Sequence, residues 1–334
     1  MKNSINYFLK NKINLKAKNN FALILGSSPS KGARSPILWN NAYKFFGKKI
    51  KMFPADISEK NLKDFSMFLK SNSFFLGGSV TIPYKEKFLN YLDKIDKNAK
   101  KIGSINTIIN KEGYLFGLNT DYYGSLFTLK KIIKRNHKNV LILGCGGAGK
   151  ACVISVLNYF KGSKIFLYNR NKKKLIKFLK KIEDKENKVK GFSDINFLKK
   201  IKKLDIIINS TSVGFDSWIK DSGYFNLKNF SPTAKVKIKK VKKIDEDNFL
   251  LTNKKKLKEN ILNTVNFLSK FNKLVIFDII YQPKSTILMK IGSLLGHKVY
   301  NGLQMNFMQA VEAFYRVNNA KEKNKVILGM QNGK

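Results

Sequence analysis

Short apolar runs alternate with longer amphipathic segments along most of this 334-residue chain. An apolar run of about four to eight residues between turn residues is typical of a buried strand, whereas apolar residues at every third or fourth position are typical of a helix. Because the two kinds of segment alternate, we expect an α/β fold with parallel sheets covered on both faces. The predicted strands include residues 21–26, 49–53, 139–144, 164–170, 204–210 and 274–280.

Helix start and stop signals accompany several of the amphipathic segments. Pro36 in the first helical position and Gly47 at the end delimit a predicted helix over residues 35–47. Ser58 is expected to cap a helix over residues 58–71. Further predicted helices cover residues 121 to about 135, the segment after the glycine turn near residue 146, residues 172–184 and residues 255–271.

The segment after Pro83 is predicted to be a helix whose buried face includes Tyr84, Phe88 and Tyr91. Lys85 lies outside this apolar stripe, in the first turn of the predicted helix. The partial positive charge of a helix N-terminus disfavours an ammonium group in that turn. We take this placement as a first indication of function at Lys85.

The charge balance is strongly basic: 65 Lys and Arg against 22 Asp and Glu give a formal net charge of +43 at pH 7. Only Arg34, Arg135, Arg170 and Arg316 are arginines, and the lysines are spread along the chain. Proteins that read phosphates or base edges rely on the arginine fork. We therefore expect a solvated lysine-rich surface and no specific nucleic-acid partner, since binding through the lysines would be lost at moderate salt.

The sequence indicates a cytoplasmic protein. No apolar run reaches the roughly 18 residues needed to cross a bilayer, so no membrane association is expected. The first 20 residues lack the apolar core of a secretory signal, and we expect a flexible basic tail there. Cys145 and Cys152 provide neither a disulfide framework nor a zinc site, so no metal is expected.

A glycine-rich turn follows the strand that ends near residue 143. Gly144, Gly146, Gly147 and Gly149 come after this strand and open a helix, the setting in which backbone N–H groups bind a dinucleotide pyrophosphate. Residues 144–149 read GCGGAG, a GxGGxG form of the GxGxxG pattern. The alternative is a tight strand-to-helix turn without a ligand.

The end of the next strand distinguishes between two dinucleotides. A site for NAD has an acidic residue about 20 residues further on, where it binds the ribose 2′-hydroxyl. Here Asn169 and Arg170 stand at that position, and lysines 172–174 follow. Because basic side chains attract a 2′-phosphate and the arginine fork matches its oxygens, we expect NADP as the cofactor.

Polar residues of the first half define a second group of candidates: Lys85, Asn106, Thr107, Asn119 and Asp121. Asn106 and Asp121 each end an apolar, strand-like run, and side chains at the carboxyl ends of strands meet in a cleft. A lysine paired with an aspartate could relay a proton during hydride transfer. The alternatives are an exposed lysine without a role and an aspartate that caps the next helix.

Taken together, eight segments resemble the shikimate dehydrogenase family, in the same order along nearly the whole chain. The segments are VTIPYKE (80–86), IGSINT (102–107), GLNTD (117–121), LGCGGAGKA (143–151), NR (169–170), IINSTSVG (207–214), FDIIYQPKST (277–286) and NGLQMNFMQ (301–309). The resemblance implies an oxidoreductase that interconverts 3-dehydroshikimate and shikimate with NADP, a step of aromatic amino-acid (chorismate) biosynthesis.

The resemblance also assigns roles by position. Lys85 and Asp121 correspond to the catalytic pair of the family. The residues implied in substrate binding are Ser35, Thr81, Asn106, Tyr281 and Gln309, and those implied in cofactor binding are Gly144, Gly146, Gly147, Ala148, Asn169, Arg170, Lys174, Thr211 and Gly302.

Two domains follow from the same resemblance. Residues 21–125 with 304–334 are expected to form a substrate-binding domain, to which the last helix returns. Residues 126–303 are expected to form a Rossmann-like NADP-binding domain with a long insert at about 215–272. The expected partners are a small cyclic hydroxy acid and the cofactor, with the protein acting as a monomer or homodimer.

Several residues depart from the family pattern. Ala33-Arg34-Ser35-Pro36 replaces a Ser-x-Ser-Pro motif, Trp39 replaces a histidine, and Ser79 replaces an asparagine. A guanidinium at position 34 could bind a carboxylate bidentately or change the substrate. The alternatives are therefore a dehydrogenase of quinate, an amino-shikimate or another cyclic hydroxy acid, and a non-catalytic NADP-binding homologue.

Overall fold

In the described part of the chain, each of two α/β units contains one six-stranded sheet. The computed structural model describes residues 4–15, 18–133, 138–182, 184, 186, 188–216, 227–236 and 246–332. Unit 1 comprises Met1–Phe127 and Asn306–Lys334, and unit 2 comprises Thr128–Met305. None of the described helices combines the length and the apolar character required to span a bilayer.

Unit 1 has a mixed sheet. Its strands are β1 (Phe21–Gly26), β2 (Lys51–Asp56), β3 (Phe75–Val80), β4 (Lys94–Ile95), β5 (Thr107–Lys111) and β6 (Tyr114–Leu118). They lie in the order β2-β1-β3-β5-β6-β4, and its helices are α1 (Ser35–Phe45), α2 (Leu62–Ser71), α3 (Lys97–Ile102) and α4 (Thr120–Ile132). The expected parallel pairing is present between β1 and both β2 and β3, whereas β5 runs antiparallel to both β3 and β6.

The antiparallel part of this sheet results from a two-residue turn. Glu112 and Gly113, with φ of 52° and 90°, join β5 to β6. Such left-handed turns match the twist of a hairpin and favour glycine. Asn106 therefore precedes β5 instead of ending a strand, and the antiparallel direction brings it beside the carboxyl end of β3, where Ser79 pairs with Thr107.

The segment after Pro83 is not the predicted α-helix. It consists of turns followed by a short 3-10 helix, Lys87–Tyr91, and by β4. Tyr84 and Phe88 are buried as expected, but the Lys85 carbonyl accepts a hydrogen bond from the Ile105 N–H at 2.8 Å instead of from a helical neighbour. Lys85 thus precedes a five-residue 3-10 helix and does not lie in the first turn of an α-helix, so the argument from the α-helix N-terminus does not hold.

Ser58 does not cap the second predicted helix. A single 3-10 turn, Glu59–Asn61, follows Ser58, and the Ser58 side chain makes no capping hydrogen bond. The α-helical part begins only at Leu62, so the local signal placed the helix start four residues early.

Unit 2 has a fully parallel sheet. Its strands are β7 (Asn139–Leu143), β8 (Lys164–Tyr168), β9 (Val189–Phe192), β10 (Ile206–Asn209), β11 (Val275–Asp278) and β12 (Lys298–Asn301). Their order is β12-β11-β10-β7-β8-β9, and the helices of this unit are α5 (Gly147–Tyr159), α6 (Lys172–Leu179), α7 (Glu246–Leu268) and α8 (Ile287–Leu294). The near-continuous apolar runs of β7 and β10 fit strands with both faces covered.

The predicted insert at 215–272 is only partly described, since residues 217–226 and 237–245 lie outside the described residues. Within it, the helix predicted over 255–271 is present as α7 and begins nine residues earlier, at Glu246. Asn260 of α7 binds the backbone of Ser231 through both its amide oxygen and its amide nitrogen. This helix therefore holds another segment of the same insert in place.

The last two helices, α9 (Leu303–Val317) and α10 (Lys323–Gln331), pack in the core of unit 1, as expected. The Phe314 ring on α9 lies with its centroid 5.2 Å from Trp39 and 4.9 Å from Tyr43, both on α1. Trp39 is completely buried in this cluster. Trp39, which stands where the family pattern has a histidine, is therefore a core residue that packs α1 against α9.

The N-terminal segment packs against unit 1, in contrast to the expected flexible tail. Ile5, Phe8 and Ile13 are buried in the core beneath the sheet. Asn6 closes this segment on itself by hydrogen bonds to the N–H and carbonyl of Ile13 at 2.9 and 3.0 Å. The lysine content of the segment obscured the spacing of its apolar residues.

The packing of Phe8 predicts a stability effect for this segment. Phe8→Ala should lower the free energy of unfolding by about 3 kcal/mol, because a large buried ring is removed. The neighbouring Tyr7 is 58% exposed, so Tyr7→Ala should cost at most about 1 kcal/mol. Urea denaturation of both variants measures the difference, and equal effects would contradict the described packing.

Candidate functional sites

Lys85 and Asp121 form an ion pair in unit 1. The Lys85 Nζ lies 2.6 Å from the Asp121 Oδ2, and the side chains are 24% and 10% exposed. Lys85 follows β3 through the turn at Pro83, and Asp121 lies in the first turn of α4. The two residues predicted to act together are thus in direct contact.

Asp121 is held in this position by its other carboxylate oxygen. The Asn106 Nδ2 donates to Asp121 Oδ1 at 3.0 Å and to Gln309 Oε1 at 3.0 Å. The Asn106 Oδ1 accepts from the Thr120 N–H at 2.6 Å and from the Thr120 and Thr107 hydroxyls at 3.0 and 3.1 Å. Asn106 is 2% exposed, so this amide is a buried hub with donors and acceptor all used.

Asn119 has a structural part. Its Oδ1 accepts from the Tyr122 N–H at 3.2 Å in the first turn of α4, and its Nδ2 donates to the Ser104 carbonyl at 2.9 Å. Asn119 therefore caps the helix that contains Asp121. The alternative in which Asp121 itself is the cap is not supported.

Gln309 extends the group of polar side chains to α9. Its Nε2 donates to the Asn306 carbonyl at 2.9 Å, and the Asn306 side-chain oxygen accepts from Arg34 Nη1 at 2.8 Å. Arg34 immediately precedes Ser35, the buried first residue of α1. Lys85, Asp121, Asn106 and Gln309 thus form a continuous network, and Arg34 is joined to it through Asn306.

Thr81 is placed by backbone contacts. Its N–H donates to the Leu25 carbonyl at 2.8 Å, and its methyl group lies so close to Gly26 that a Cβ there would approach it to 2.5 Å. Pro29 packs against the same glycine, with its Cδ 3.2 Å from that Cβ position. Thr81 and the loop before α1 therefore converge at the carboxyl end of β1.

In unit 2, the glycines of the turn after β7 are of two kinds: some are required by the path of the backbone, and one borders open space. Gly144 has a φ of 102°, and a Cβ on Gly149 would lie 2.2 Å from the Gly144 carbonyl oxygen. These two positions need glycine for the path of the chain. At Gly146, with φ of −81°, a Cβ would meet no neighbouring atom within 4 Å. The open space there can admit a ligand.

This open space lies at the start of α5. Helix α5 begins at Gly147, and its first intrahelical hydrogen bond runs from the Lys150 N–H to the Gly146 carbonyl at 2.9 Å. The preceding N–H groups, which include that of Ala148, lack intrahelical acceptors and suit a phosphate. The residues present therefore fit a dinucleotide pyrophosphate.

Asn169 connects the end of β8 to this turn. Its Oδ1 accepts from the Cys145 N–H at 3.0 Å, and its Nδ2 donates to the Asn171 carbonyl at 2.9 Å. Asn171 caps α6 by accepting from the Lys174 N–H at 2.9 Å. Arg170, which is exposed, is therefore held next to the glycine turn by its two neighbours.

Thr211, Tyr281 and Gly302 lie on the loops after β10, β11 and β12. Tyr281 is half-buried, and Thr211 donates to the Asn209 side chain at 2.8 Å. A Cβ on Gly302 would lie 1.6 Å from the Ile279 carbonyl oxygen. Close packing of the backbone therefore already requires glycine at position 302.

Four residues of these sites were not found from the sequence. Thr120 belongs to the network of unit 1, and the Ser210 hydroxyl fixes the glycine turn by donating to the Leu143 and Gly144 carbonyls at 2.8 and 3.1 Å. Asn209 and Asp278 end β10 and β11. Polar residues that end apolar strands were the available signal.

Comparisons with known proteins agree with this arrangement. A family model described as shikimate dehydrogenase substrate binding domain matches residues 25–108, and one described as shikimate / quinate 5-dehydrogenase matches residues 128–215. The shikimate dehydrogenase (NADP+) of Methanocaldococcus jannaschii is 32% identical over 291 residues, which cover 86% of this chain and 87% of that protein. The enzyme of the same name from Aquifex aeolicus is 30% identical over 287 residues, with 86% and 87% covered.

Solved structures give the same fold. A crystal structure of a shikimate dehydrogenase in complex with NADP+ matches with a TM-score of 0.68 at 27% identity. The match covers 96% of this chain and 97% of that one. The similarity therefore extends over both units.

The two kinds of glycine in the turn predict different variants. Gly146→Ala should leave the free energy of unfolding within about 0.5 kcal/mol of the parent but weaken NADP binding about tenfold or more, because its methyl group occupies the open space. Gly149→Ala should instead lower stability by about 1–3 kcal/mol. Calorimetric titration and thermal unfolding measure both quantities; unchanged NADP affinity in Gly146→Ala would contradict the assignment.

Proposed function

We propose that this chain, which belongs to the shikimate dehydrogenase family, catalyses the NADP-dependent interconversion of 3-dehydroshikimate and shikimate. The observation on which the proposal depends is the 2.6 Å contact between the Lys85 ammonium and the Asp121 carboxylate. An ammonium group held beside a carboxylate in a largely buried setting can transfer a proton to or from a bound substrate. The relatives named shikimate dehydrogenase (NADP+) support the choice of substrate and cofactor.

NADP(H), when bound, supplies or accepts the hydride, and the protein transfers the proton to or from the substrate oxygen. In the direction of ketone reduction, Lys85 donates a proton from its Nζ to the oxygen that becomes the hydroxyl. In the oxidation direction, the same nitrogen takes that proton back. Asp121 keeps the Lys85 side chain in one orientation, because its Oδ2 accepts from Nζ at 2.6 Å.

The remaining polar groups of unit 1 orient the substrate. Both amide hydrogens of Asn106 already bind Asp121 and Gln309, so its part is to fix these two side chains. The Gln309 Nε2 uses one hydrogen on the Asn306 carbonyl and has a second for a substrate hydroxyl. Hydroxyls of Ser35 and Thr81 complete the proposed substrate group of unit 1. For Tyr281, on the loop after β11 of unit 2, the substrate-binding role rests on the family resemblance alone.

The cofactor is assigned to the carboxyl end of the sheet in unit 2. The glycine turn, with Gly144, Gly146, Gly147 and Ala148, would hold the pyrophosphate at the N-terminus of α5. Asn169, Arg170 and Lys174 would hold the adenosine side, with Arg170 on the 2′-phosphate. Thr211 and Gly302 belong to neighbouring loops of the same edge and complete the assignment.

A second candidate substrate is quinate. The description of the family model for residues 128–215 covers both shikimate and quinate. In addition, the guanidinium of Arg34 next to Asn306 offers a charged group for the carboxylate that both acids share. The two substrates must therefore be compared directly.

We also propose that the chain acts in the cytoplasm, as a monomer or a homodimer, with small molecules as its partners. Support for the compartment comes from Cys145 and Cys152, which are buried thiols and form no disulfide with each other. Gel filtration with light scattering measures the molar mass in solution and thereby the oligomeric state.

The proposed reaction predicts the effect of removing Lys85. The wild-type chain should reduce NADP with shikimate, and Lys85→Ala should lower kcat by about 10²- to 10⁴-fold, because the group that transfers the proton is lost. Lys87→Ala is the matched control: Lys87 is 48% exposed and pairs with Glu59 at the surface, so activity should be unchanged. The assay follows NADPH absorbance with shikimate and with quinate.

Three outcomes of this assay would contradict the proposal in different ways. Shikimate turnover that Lys85→Ala leaves unchanged would remove the role of Lys85. Turnover of quinate alone would replace the substrate. NADP binding without turnover of any cyclic hydroxy acid would indicate a non-catalytic homologue.

The position of Arg170 predicts the preference between dinucleotides. Arg170→Gln should lower kcat/KM for NADP about 10- to 100-fold and leave that for NAD nearly unchanged, because only NADP has the 2′-phosphate. Lys177→Gln, in the last turn of α6, removes the same charge further along and should change neither value. An equal loss for both dinucleotides would place Arg170 elsewhere than at the 2′-phosphate.

A further inference from the structure

One buried carboxylate joins the loops that follow β10 and β11. Asp278, the last residue of β11, has no exposed surface. Its Oδ1 accepts from the Asn209 Nδ2 and from the Ile280 N–H, both at 3.0 Å, and its Oδ2 accepts from the Thr286 hydroxyl at 2.7 Å. A buried carboxylate persists only when its oxygens are bonded, and each of these donors belongs to a strand end or loop at one edge of the sheet.

Asn209 transmits this contact to the loop after β10. Its Oδ1 accepts from the Thr211 N–H at 3.0 Å and from the Thr211 hydroxyl at 2.8 Å. Its Nδ2, besides binding Asp278, donates to the Val213 carbonyl at 3.2 Å. Because the Asn209 amide is completely buried, its orientation decides where the Thr211 backbone and hydroxyl lie.

The other contacts of Asp278 fix the loop after β11. The Ile280 N–H is one peptide away from Tyr281, and the Thr286 hydroxyl caps α8 by accepting from the Met289 N–H at 3.3 Å. Thr286 also lies against Gly214 of the first loop, where a Cβ would approach its side chain to 3.3 Å. Asp278 is therefore the common anchor of two loops.

We propose that Asp278 is a positioning residue for cofactor binding, because it fixes Thr211 through Asn209 and fixes the loop of Tyr281 through Ile280 and Thr286. The inference rests on the proposed function for the roles of Thr211 and Tyr281. It adds to those residues a fully buried side chain that acts through others.

The ionisation of Asp278 gives the proposal a measurable signature. Burial raises the pKa of Asp278 to about 7, against the opposing effect of the hydrogen bonds from Thr286, Ile280 and Asn209. Among the described residues, the groups that face it are these neutral donors: the amide of Asn209 on β10, the Ile280 N–H after β11 and the hydroxyl of Thr286 before α8. These hydrogen bonds are those of the ionised carboxylate. Protonation would turn one acceptor oxygen of Asp278 into a donor and reverse the direction of the hydrogen bond from Thr286.

Affinity and stability should consequently respond to pH in opposite directions. NADP binding should strengthen as pH rises through about 7, because the carboxylate form fixes the loops. The free energy of unfolding should instead fall as pH rises. A carboxyl whose pKa is raised in the folded state stabilises the fold most below the pKa it has in the unfolded chain, and this stabilisation is lost as pH rises through about 7. A purely structural role would change stability alone.

The test compares NADP dissociation constants of four variants by calorimetry between pH 5.5 and 8.5, with thermal unfolding alongside. Asp278→Ala should raise the dissociation constant about tenfold or more at pH 8, and Thr286→Val about three- to tenfold. Asp278→Asn keeps an acceptor for Asn209 and Ile280 but places a donor opposite Thr286, as the protonated acid does. It should therefore bind NADP at pH 8 about as weakly as the parent does at pH 5.5, and lose the extra pH dependence of both affinity and stability. Comparison with this variant cancels the titration of the NADP phosphate itself.

Asn260→Ala is the matched control, since Asn260 is a buried amide that binds the Ser231 backbone in another part of unit 2. It should lower stability and leave the NADP dissociation constant within about twofold. Wild-type affinity in Asp278→Ala, or an equal loss of affinity in Asn260→Ala, would overturn the inference.

Two further outcomes decide the remaining cases. If Asp278→Ala does not fold, Thr286→Val and Asp278→Asn decide: parental affinity in the former together with a parental pH profile in the latter overturns the inference. NADP binding without shikimate turnover would overturn only the proposed function, whereas a wild-type chain that does not bind NADP would overturn both.

Discussion

The hydrogen bond from the Asn106 Nδ2 to the Asp121 Oδ1 is the contact on which the arrangement of unit 1 depends. Asn106 stands just before β5 and Asp121 just after β6, so this bond closes the hairpin at the edge where the sheet ends. The second oxygen of Asp121 binds Lys85, and fixing the carboxylate therefore fixes the ammonium. Since a buried polar group that loses its partner costs about 1–3 kcal/mol, the network persists only as a whole.

Unit 2 solves the same physical problem with different residues. Where β10 and β11 end, sheet hydrogen bonding stops, and buried polar groups of the following loops need other partners. Asn209 and Asp278 provide them, as Asn106 and Asp121 do in unit 1. In both units an asparagine and an aspartate pair in the interior, and the asparagine oxygen binds a threonine: Thr120 at the start of α4 and Thr211 in the loop after β10. The candidate sites occur where backbone pairing runs out, which is where ligands bind in open α/β sheets.

Features encoded by neighbouring residues were predictable, and features that depend on distant partners were not. The strands of unit 2 and the glycine turn follow from apolar runs and from glycine itself, and the pairing of Lys85 with Asp121 followed from family resemblance. The segment after Pro83 has the spacing of a helix, but the Lys85 carbonyl binds Ile105, 20 positions further on, and this contact prevents helical bonding. Likewise, no local signal could pair Asn106 with Gln309, 203 residues apart.

Because the chain contains so many lysines, its charge pattern alone does not single out Lys85. The burial of the ion pairs in the structure does distinguish it. Lys87 pairs with Glu59 at side-chain exposures of 48% and 62%, where solvent and salt reduce an ion pair to about 0–1 kcal/mol. The side chains of Lys85 and Asp121 are 24% and 10% exposed, so much of the water that screens the Lys87 pair is excluded here. A carboxylate already held by a buried amide gives this ammonium one orientation. Lys85 therefore combines a fixed, poorly solvated counterion with limited exposure of its own, whereas Lys323 and Arg316, which pair with the buried Glu312, are themselves 43% and 44% exposed.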